Sequence, residues 1–300
     1  MLDNFVYYKT IKYDKLKERT RKGIPEGMRG LAWIKITRVK EYKNANPNLY
    51  KDLLNKMNSP NFIDKNEEEV IIRDLHRTFP KHMIFNSKLG EGQRALFRIL
   101  MCFSSFYRET GYVQGMGFLA ALFLSYMDEE SSFWMLYIIF KIYNLEEIYK
   151  KDFPGLKKRL YIFLKLVEKF MPKIYKKLYE KEVHPTMYAS QWFFTCFTNC
   201  FPFEMVVRIF DCYLLEGEKI IYRVALAIFK SKEEELLKAK HFETLMESLK
   251  SATSDIKDPD ELLNTAFSFS FSRNHIKNFE QQYQKALANK DKELIKMLGY

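Results

Sequence analysis

The chain has 300 residues, 47% of them apolar and 29% charged; that is enough to build a sizeable core, and it excludes a disordered polypeptide. Only 11 glycines and 9 prolines punctuate it, fewer turn-formers than many short strands would need. Lysine and arginine outnumber acids 49 to 38, a net charge of +11, yet the basic residues are spread along the chain rather than gathered in a nucleic-acid-binding block.

Helical periodicity runs almost throughout. The opening MLDNFVYYKTIKYDK has no apolar core and no small-residue cleavage site, so no targeting signal is expected. Helices are expected at 29–43, 48–57, 66–78, 91–109, 117–127 and 131–142. The longest apolar stretch, Phe118 to Met127, has about ten residues against the roughly twenty that a membrane span needs. A break at Lys151-Asp152-Phe153-Pro154-Gly155 could separate two lobes. Beyond it, helices are expected at 156–171, 173–181, 187–199, 203–215, 218–238, 240–250, 259–267 and 273–297, with Met171-Pro172 and Asp258-Pro259 as helix starts. Lysines interleave with apolar residues from Lys157 to Lys181, which reads as a solvated helix face or as a membrane or partner patch. No stretch alternates like a strand and no repeat stands out. The expected fold class is therefore all-α, in one domain over 1–300 with lobes of about 1–152 and about 153–300. Cys102, Cys196, Cys200 and Cys212 lie inside apolar runs, as reduced thiols of a cytoplasmic protein would.

The familiar chemical motifs are missing. None of the five histidines has metal-binding spacing, and Cys196 and Cys200 have no flanking ligands. There is no Walker A loop and no G-x-S-x-G elbow. Gly115-x-Gly117-x-x-Ala120 satisfies a dinucleotide pattern but follows a helix instead of a strand.

Three stretches stand out. Gly23-Ile24-Pro25 leads into a helix carrying Arg29 and Trp33 one turn apart; read alone, this is a capped amphipathic helix with Trp33 in the core. Ile71-x-x-Asp74-x-x-Arg77 ends a helix before Phe79-Pro80, where Pro80 stops the helix. Arg77 then projects beside a loop, and Asp74, three residues earlier, can orient it; the plain alternative is a helical ion pair. Gly111-Tyr112-Val113-Gln114-Gly115-Met116-Gly117 packs three glycines into seven residues around a polar Gln114, either as a simple glycine-rich cap or as a loop built for close approach.

Taken jointly, these stretches are far more specific. The sequence resembles the TBC domain family of Rab GTPase-activating proteins through Gly23-Ile24-Pro25 with Arg29-x-x-x-Trp33, Ile71-x-x-Asp74-x-x-Arg77 and Tyr112-x-Gln114-Gly115. Gly92-Gln93-Arg94, Phe133-Trp134, Ser190-Gln191-Trp192-Phe193 and Phe201-Pro202 through Arg208-Ile209-Phe210-Asp211 to Glu216-Gly217 extend the match. Phe210 stands where the family commonly has Trp. The resemblance implies an all-helical domain whose two lobes form a V-shaped groove for a Rab GTPase in its GTP-bound form. It places the family's arginine finger on Arg77 and its glutamine finger on Gln114. Asp74 would hold Arg77, while Tyr112 and Gly115 belong to the glutamine motif and Arg29, Trp33, Arg94 and Asp211 would shape the groove. The chain itself would need no cofactor, because GTP and Mg²⁺ come bound to the partner. The implied setting is cytoplasmic, peripherally at endomembranes, with membranes met through the partner. No nucleic-acid partner is implied. The competing reading is a Rab-binding module without catalysis.

Overall fold

The computed structural model describes residues 2–291 and Leu298. They are helical with no strand among the described residues, and they divide into two compact units, 1–151 and 152–300.

Unit one begins with two short helices, α1 (Phe5–Thr10) and α2 (Tyr13–Arg21). Then come α3 (Glu26–Thr37), α4 (Val39–Ala45) and α5 (Leu49–Lys56). The site is carried by α6 (Lys65–Arg77), α7 (Glu91–Phe106) and α8 (Met116–Leu124). The unit closes with α9 (Glu129–Lys141) and α10 (Glu146–Tyr149). Helix α8 explains the longest apolar run: Met116 through Phe123 are all buried, so α8 is an internal helix with no polar face. Helices α6, α7 and α9 pack around it. Phe103 on α7 meets Phe133 and Phe140 on α9, the latter at 5.0 Å between ring centroids. Trp33 is wholly buried, edge-on to Phe123 of α8.

Helix α6 is defined at both ends. The Asp64 carboxylate accepts the Asn66 N–H at 2.8 Å, Glu67 and Glu68 lie in the first turn, and His76 and Arg77 in the last, as the helix dipole favours. After Thr78 the chain turns sharply, and Phe79 takes a positive φ of 43° before Pro80.

Unit two runs through α11 (Pro154–Phe170), α12 (Pro172–Glu180), a 3₁₀ turn (Pro185–Met187) and α13 (Ser190–Phe194) — the α11 to α12 restart falls at Met171-Pro172. It continues with α14 (Phe203–Glu216), α15 (Lys219–Ser231), α16 (Glu233–Lys238) and α17 (Phe242–Asp255), then α18 (Pro259–Ser268) and α19 (Arg273–Ala288). Its core gathers Phe163, Trp192, Phe193 and Phe229. The lysines of α11 and α12 range from half-buried to exposed; Lys165 pairs with Glu168 at 2.8 Å and Lys158 with Glu280 at 3.6 Å.

Four sequence expectations need correction. The N-terminal residues form α1 and α2, which their short, polar pattern concealed. The helix expected at 29–43 breaks at Arg38, whose φ of 64° is left-handed without a glycine to announce it. The expected 187–199 helix is shorter, because Cys196 and Phe197 take positive φ and turn the chain. The expected 218–238 helix divides at Lys232 into α15 and α16. Of the last expected helix, 273–288 is observed, and residues 292–297 lie outside the described residues. No helix of the described residues is long and apolar enough to cross a membrane.

Candidate functional site

Asp74 lies on the inner face of α6 with its side chain 4% exposed. A carboxylate buried without partners would cost several kcal/mol, on the order of an unpaired ion in a protein interior. Here all of its acceptor capacity is used. Oδ1 accepts from Arg77, by Nε at 2.9 Å and Nη2 at 2.6 Å. Oδ2 accepts the Tyr112 hydroxyl at 2.7 Å and the Gly115 N–H at 3.1 Å. One carboxylate thus fixes the end of α6 to the loop that precedes α8.

The same loop is held a second time, where the Glu67 carboxylate accepts the Tyr112 N–H. Tyr112 is buried, and burial together with the charge of Asp74 holds its phenol well above the ordinary tyrosine range, so it acts as a neutral donor. Gly115 caps α8 with φ of 103°, a conformation that side-chain-bearing residues adopt only under strain. In that conformation its N–H points at Asp74 while the preceding residue, Gln114, is turned out to solvent.

Arg77 and Gln114 meet at the surface. The Arg77 side chain is 46% exposed and Gln114 is an exposed residue. With the amide oriented so that its oxygen faces the guanidinium, Gln114 Oε1 accepts from Nη2 at 2.6 Å and Nη1 at 2.9 Å. A planar cation with donors in a fixed fork and a neutral amide that both donates and accepts therefore share one exposed point. That pair suits an anionic centre and an adjacent water.

The Rab-GTPase-TBC domain profile matches residues 26–237. The chain belongs to that family. Over 272 residues it is 30% identical to mouse TBC1 domain family member 4, an alignment covering 88% of this chain and 20% of that protein. Over 277 residues it is 31% identical to the Caenorhabditis elegans Rab GTPase-activating protein tbc-11, covering 90% of this chain and 29% of the relative. The chain thus spans a minor part of these curated relatives. The crystal structure of the Chlamydomonas flagellar RabGAP TBC domain superposes with a TM-score of 0.70 at 28% identity, covering 85% of this chain and 84% of that one.

The remaining residues named from the TBC resemblance fall in different places. Arg29 is buried; its guanidinium donates to the Ile24 carbonyl at 2.7 Å, pairs with Glu26 and lies over the Tyr126 ring. It ties the entry of α3 to the end of α8. Trp33 and Asp211 are fully buried, the first in unit one and the second on α14 in unit two. None of these three presents its side chain to solvent, so each acts through packing rather than as lining. Arg94 is exposed and engaged with Glu91 at 2.9 Å. The role of Glu67 was missed: it reads as an ordinary first-turn acid, and only its position on the same helix as Asp74, seven residues earlier, hints at a shared face. Thr78, whose hydroxyl donates to the Asp74 carbonyl at 2.7 Å, carried no signal beyond its place at the helix end.

Proposed function

We propose that this TBC domain is a GTPase-activating module that inserts Arg77 and Gln114 into the nucleotide site of a GTP-bound Rab. The observation that carries this reading is the meeting of the two side-chain tips at one exposed point, both hung from buried Asp74. GTP hydrolysis spreads negative charge over the phosphoryl oxygens in a loose transition state. A guanidinium is a planar cation with several donors in one plane, so Arg77 stabilises those oxygens as charge moves onto them. Gln114 donates a hydrogen bond to one partner while accepting one from another, which is what orienting an attacking water requires. Asp74 limits the conformations Arg77 must give up on insertion, and the double anchorage of Tyr112 and Gly115 does the same for Gln114. An arginine supplied in trans is worth about 10³–10⁵ in rate, roughly 4–7 kcal/mol. The domain turns over no substrate alone, and GTP and Mg²⁺ belong to the partner. Its place of action follows from that partner: the cytoplasm, peripherally at endomembranes.

The test is single-turnover hydrolysis across a panel of GTP-loaded Rabs. Arg77→Ala should lower the maximal stimulated rate by about 10³ or more while Rab binding changes little. Arg77→Lys should rescue poorly, because an ammonium lacks the planar fork. If wild type and both Arg77→Ala and Gln114→Ala bind a Rab equally and none accelerates hydrolysis, the chain is a binding module instead.

A further inference from the structure

The segment between α6 and α7, residues 78–90, does not look like an idle connection. It starts on the residue after Arg77. Phe79 packs edge-on against Phe118 in the first turn of α8, at 5.5 Å between centroids, beside the Gln114 loop. The segment then folds on itself: the His82 N–H donates to the Phe79 carbonyl at 2.9 Å, and the N–H groups of Phe85 and Asn86 donate to the His82 carbonyl at 2.8 and 2.9 Å. Phe85 is buried as its apolar anchor.

A buried side chain from α7 completes the brace. Gln93 is 6% exposed; its amide donates to the Phe85 carbonyl at 2.9 Å and its oxygen accepts the Leu89 N–H at 3.0 Å. Gly92 lets the Ile84 carbonyl approach α7 at a place where a Cβ would collide with it. A buried glutamine whose oxygen and nitrogen are both spent on loop backbone is a means of holding that loop in one shape.

What the brace displays is apolar. Met83 is 83% exposed, the most exposed large apolar side chain among the described residues, and Leu89 is 68% exposed. Ile72, on the exposed side of α6, is 42% exposed. Met83 lies six positions after Arg77, so the chain can place their Cα atoms at most about 20 Å apart, and the internal turns shorten that. A standard interface covers about 800 Å² per partner, roughly 30 Å across. A GTPase that receives Arg77 can therefore reach this segment.

Resting on the finger reading above, we propose that the braced 78–90 segment is a second contact for the same Rab, with Met83 and Leu89 inserted against an apolar part of its surface. Arg77 and Gln114 act on the nucleotide, and Met83 and Leu89 supply affinity and partner choice. An unbranched thioether adapts to a surface of variable relief, so Met83 suits contact with one or several related partners. Apolar cover beside the fingers also excludes water from the site they enter.

The test uses the whole chain and a Rab panel loaded with a non-hydrolysable GTP analogue. Binding of Met83→Asp, Leu89→Asp, Met83→Leu and a control, Val6→Asp (74% exposed in wild type), is titrated against the panel member that binds wild type. The two 78–90 aspartates should each weaken Kd about 10-fold or more, with Met83→Leu and Val6→Asp near wild type. In single turnover, their half-saturating concentration should rise while the maximal rate stays, the opposite of Arg77→Ala. Met83 should also be protected from oxidation in the complex. Unchanged binding by both variants, or a lowered maximal rate with unchanged half-saturation, would overturn the proposal. Failure of wild type to bind any panel member would overturn the Rab reading itself, and this occupant with it.

Discussion

Tyr112 gives Asp74 one of its four donors, and removing that hydroxyl separates anchorage from chemistry. Tyr112→Phe leaves Oδ2 with the Gly115 N–H alone, and losing a hydrogen bond to a buried charged acceptor costs about 1.5–3 kcal/mol. Chemical denaturation should show the loss, with a smaller fall in stimulated rate. Asp74→Ala should do more: Arg77 loses its orienting partner and the loop loses one of its two anchors. The maximal rate should fall about 10–100-fold, with half-saturation nearly unchanged, because the finger is present but misplaced. Asp74→Asn should resemble alanine rather than wild type, since an amide cannot accept at both ends from four donors. Single-turnover titrations of the three variants would check this order. At this scale the i, i+3 relation of Asp74 to Arg77 was legible from spacing. The pairing of Asp74 with Tyr112 and Gly115 was not, because it spans some forty positions and depends on tertiary packing that spacing cannot express. The three glycines marked the loop as a whole, and the resemblance to TBC domains singled out those two residues within it.

Helix starts are where sequence and structure agree best. Expected helices at 66–78, 91–109, 131–142 and 156–171 correspond to Lys65–Arg77, Glu91–Phe106, Glu129–Lys141 and Pro154–Phe170. Each has an apolar stripe and an end marked by a cap, a proline or a glycine. The breaks at Arg38 and Lys232 carry no such mark; there packing overrides continuous local pattern. Asp128 shows how much one cap does. Its Oδ1 accepts the Ser131 N–H at 3.0 Å and its Oδ2 the Ser131 hydroxyl at 2.6 Å, with the Lys43 ammonium 3.4 Å away. Burial alone would raise its pKa, but those hydrogen bonds and Lys43 together hold it below the usual aspartate value. A carboxylate depressed in the fold adds stability that is complete above about pH 4, the unfolded value, and is lost as pH falls through the lower folded value. Asp128→Ala should cost about 1 kcal/mol at neutral pH. Asp128→Asn should keep much of the cap while removing this contribution to acid sensitivity, as urea titrations at pH 7 and pH 3 would show.

Across the whole molecule, the thiols report on each unit separately. Cys102 lies in unit one, and Cys196, Cys200 and Cys212 in unit two; all four are thiols. Burial pushes Cys102, Cys196 and Cys200 up to about 12. Such thiols stay protonated near neutral pH, so a disulfide reagent should reach the buried Cys102 and Cys196 only as each unit opens. Labelling followed by peptide mapping should give one rate for Cys102 and another for the buried unit-two thiols Cys196 and Cys212; fast labelling of Cys102 or Cys196 in native buffer would contradict their burial. The two loop-anchoring carboxylates of α6 also have a consequence for how the chain can change length. Glu67 and Asp74 are seven residues apart, nearly two full turns and about 10 Å along the axis, and each holds one point of the same loop. The helix is thus a ruler with two pegs. One residue inserted between Glu67 and Asp74 would swing one peg by about 100° and release the loop, however conservative the added side chain. The same insertion in the turn at 58–63 would lengthen only a connection, at a cost of a few tenths of a kcal/mol. Lineages of this chain can therefore grow before α6 but not within it.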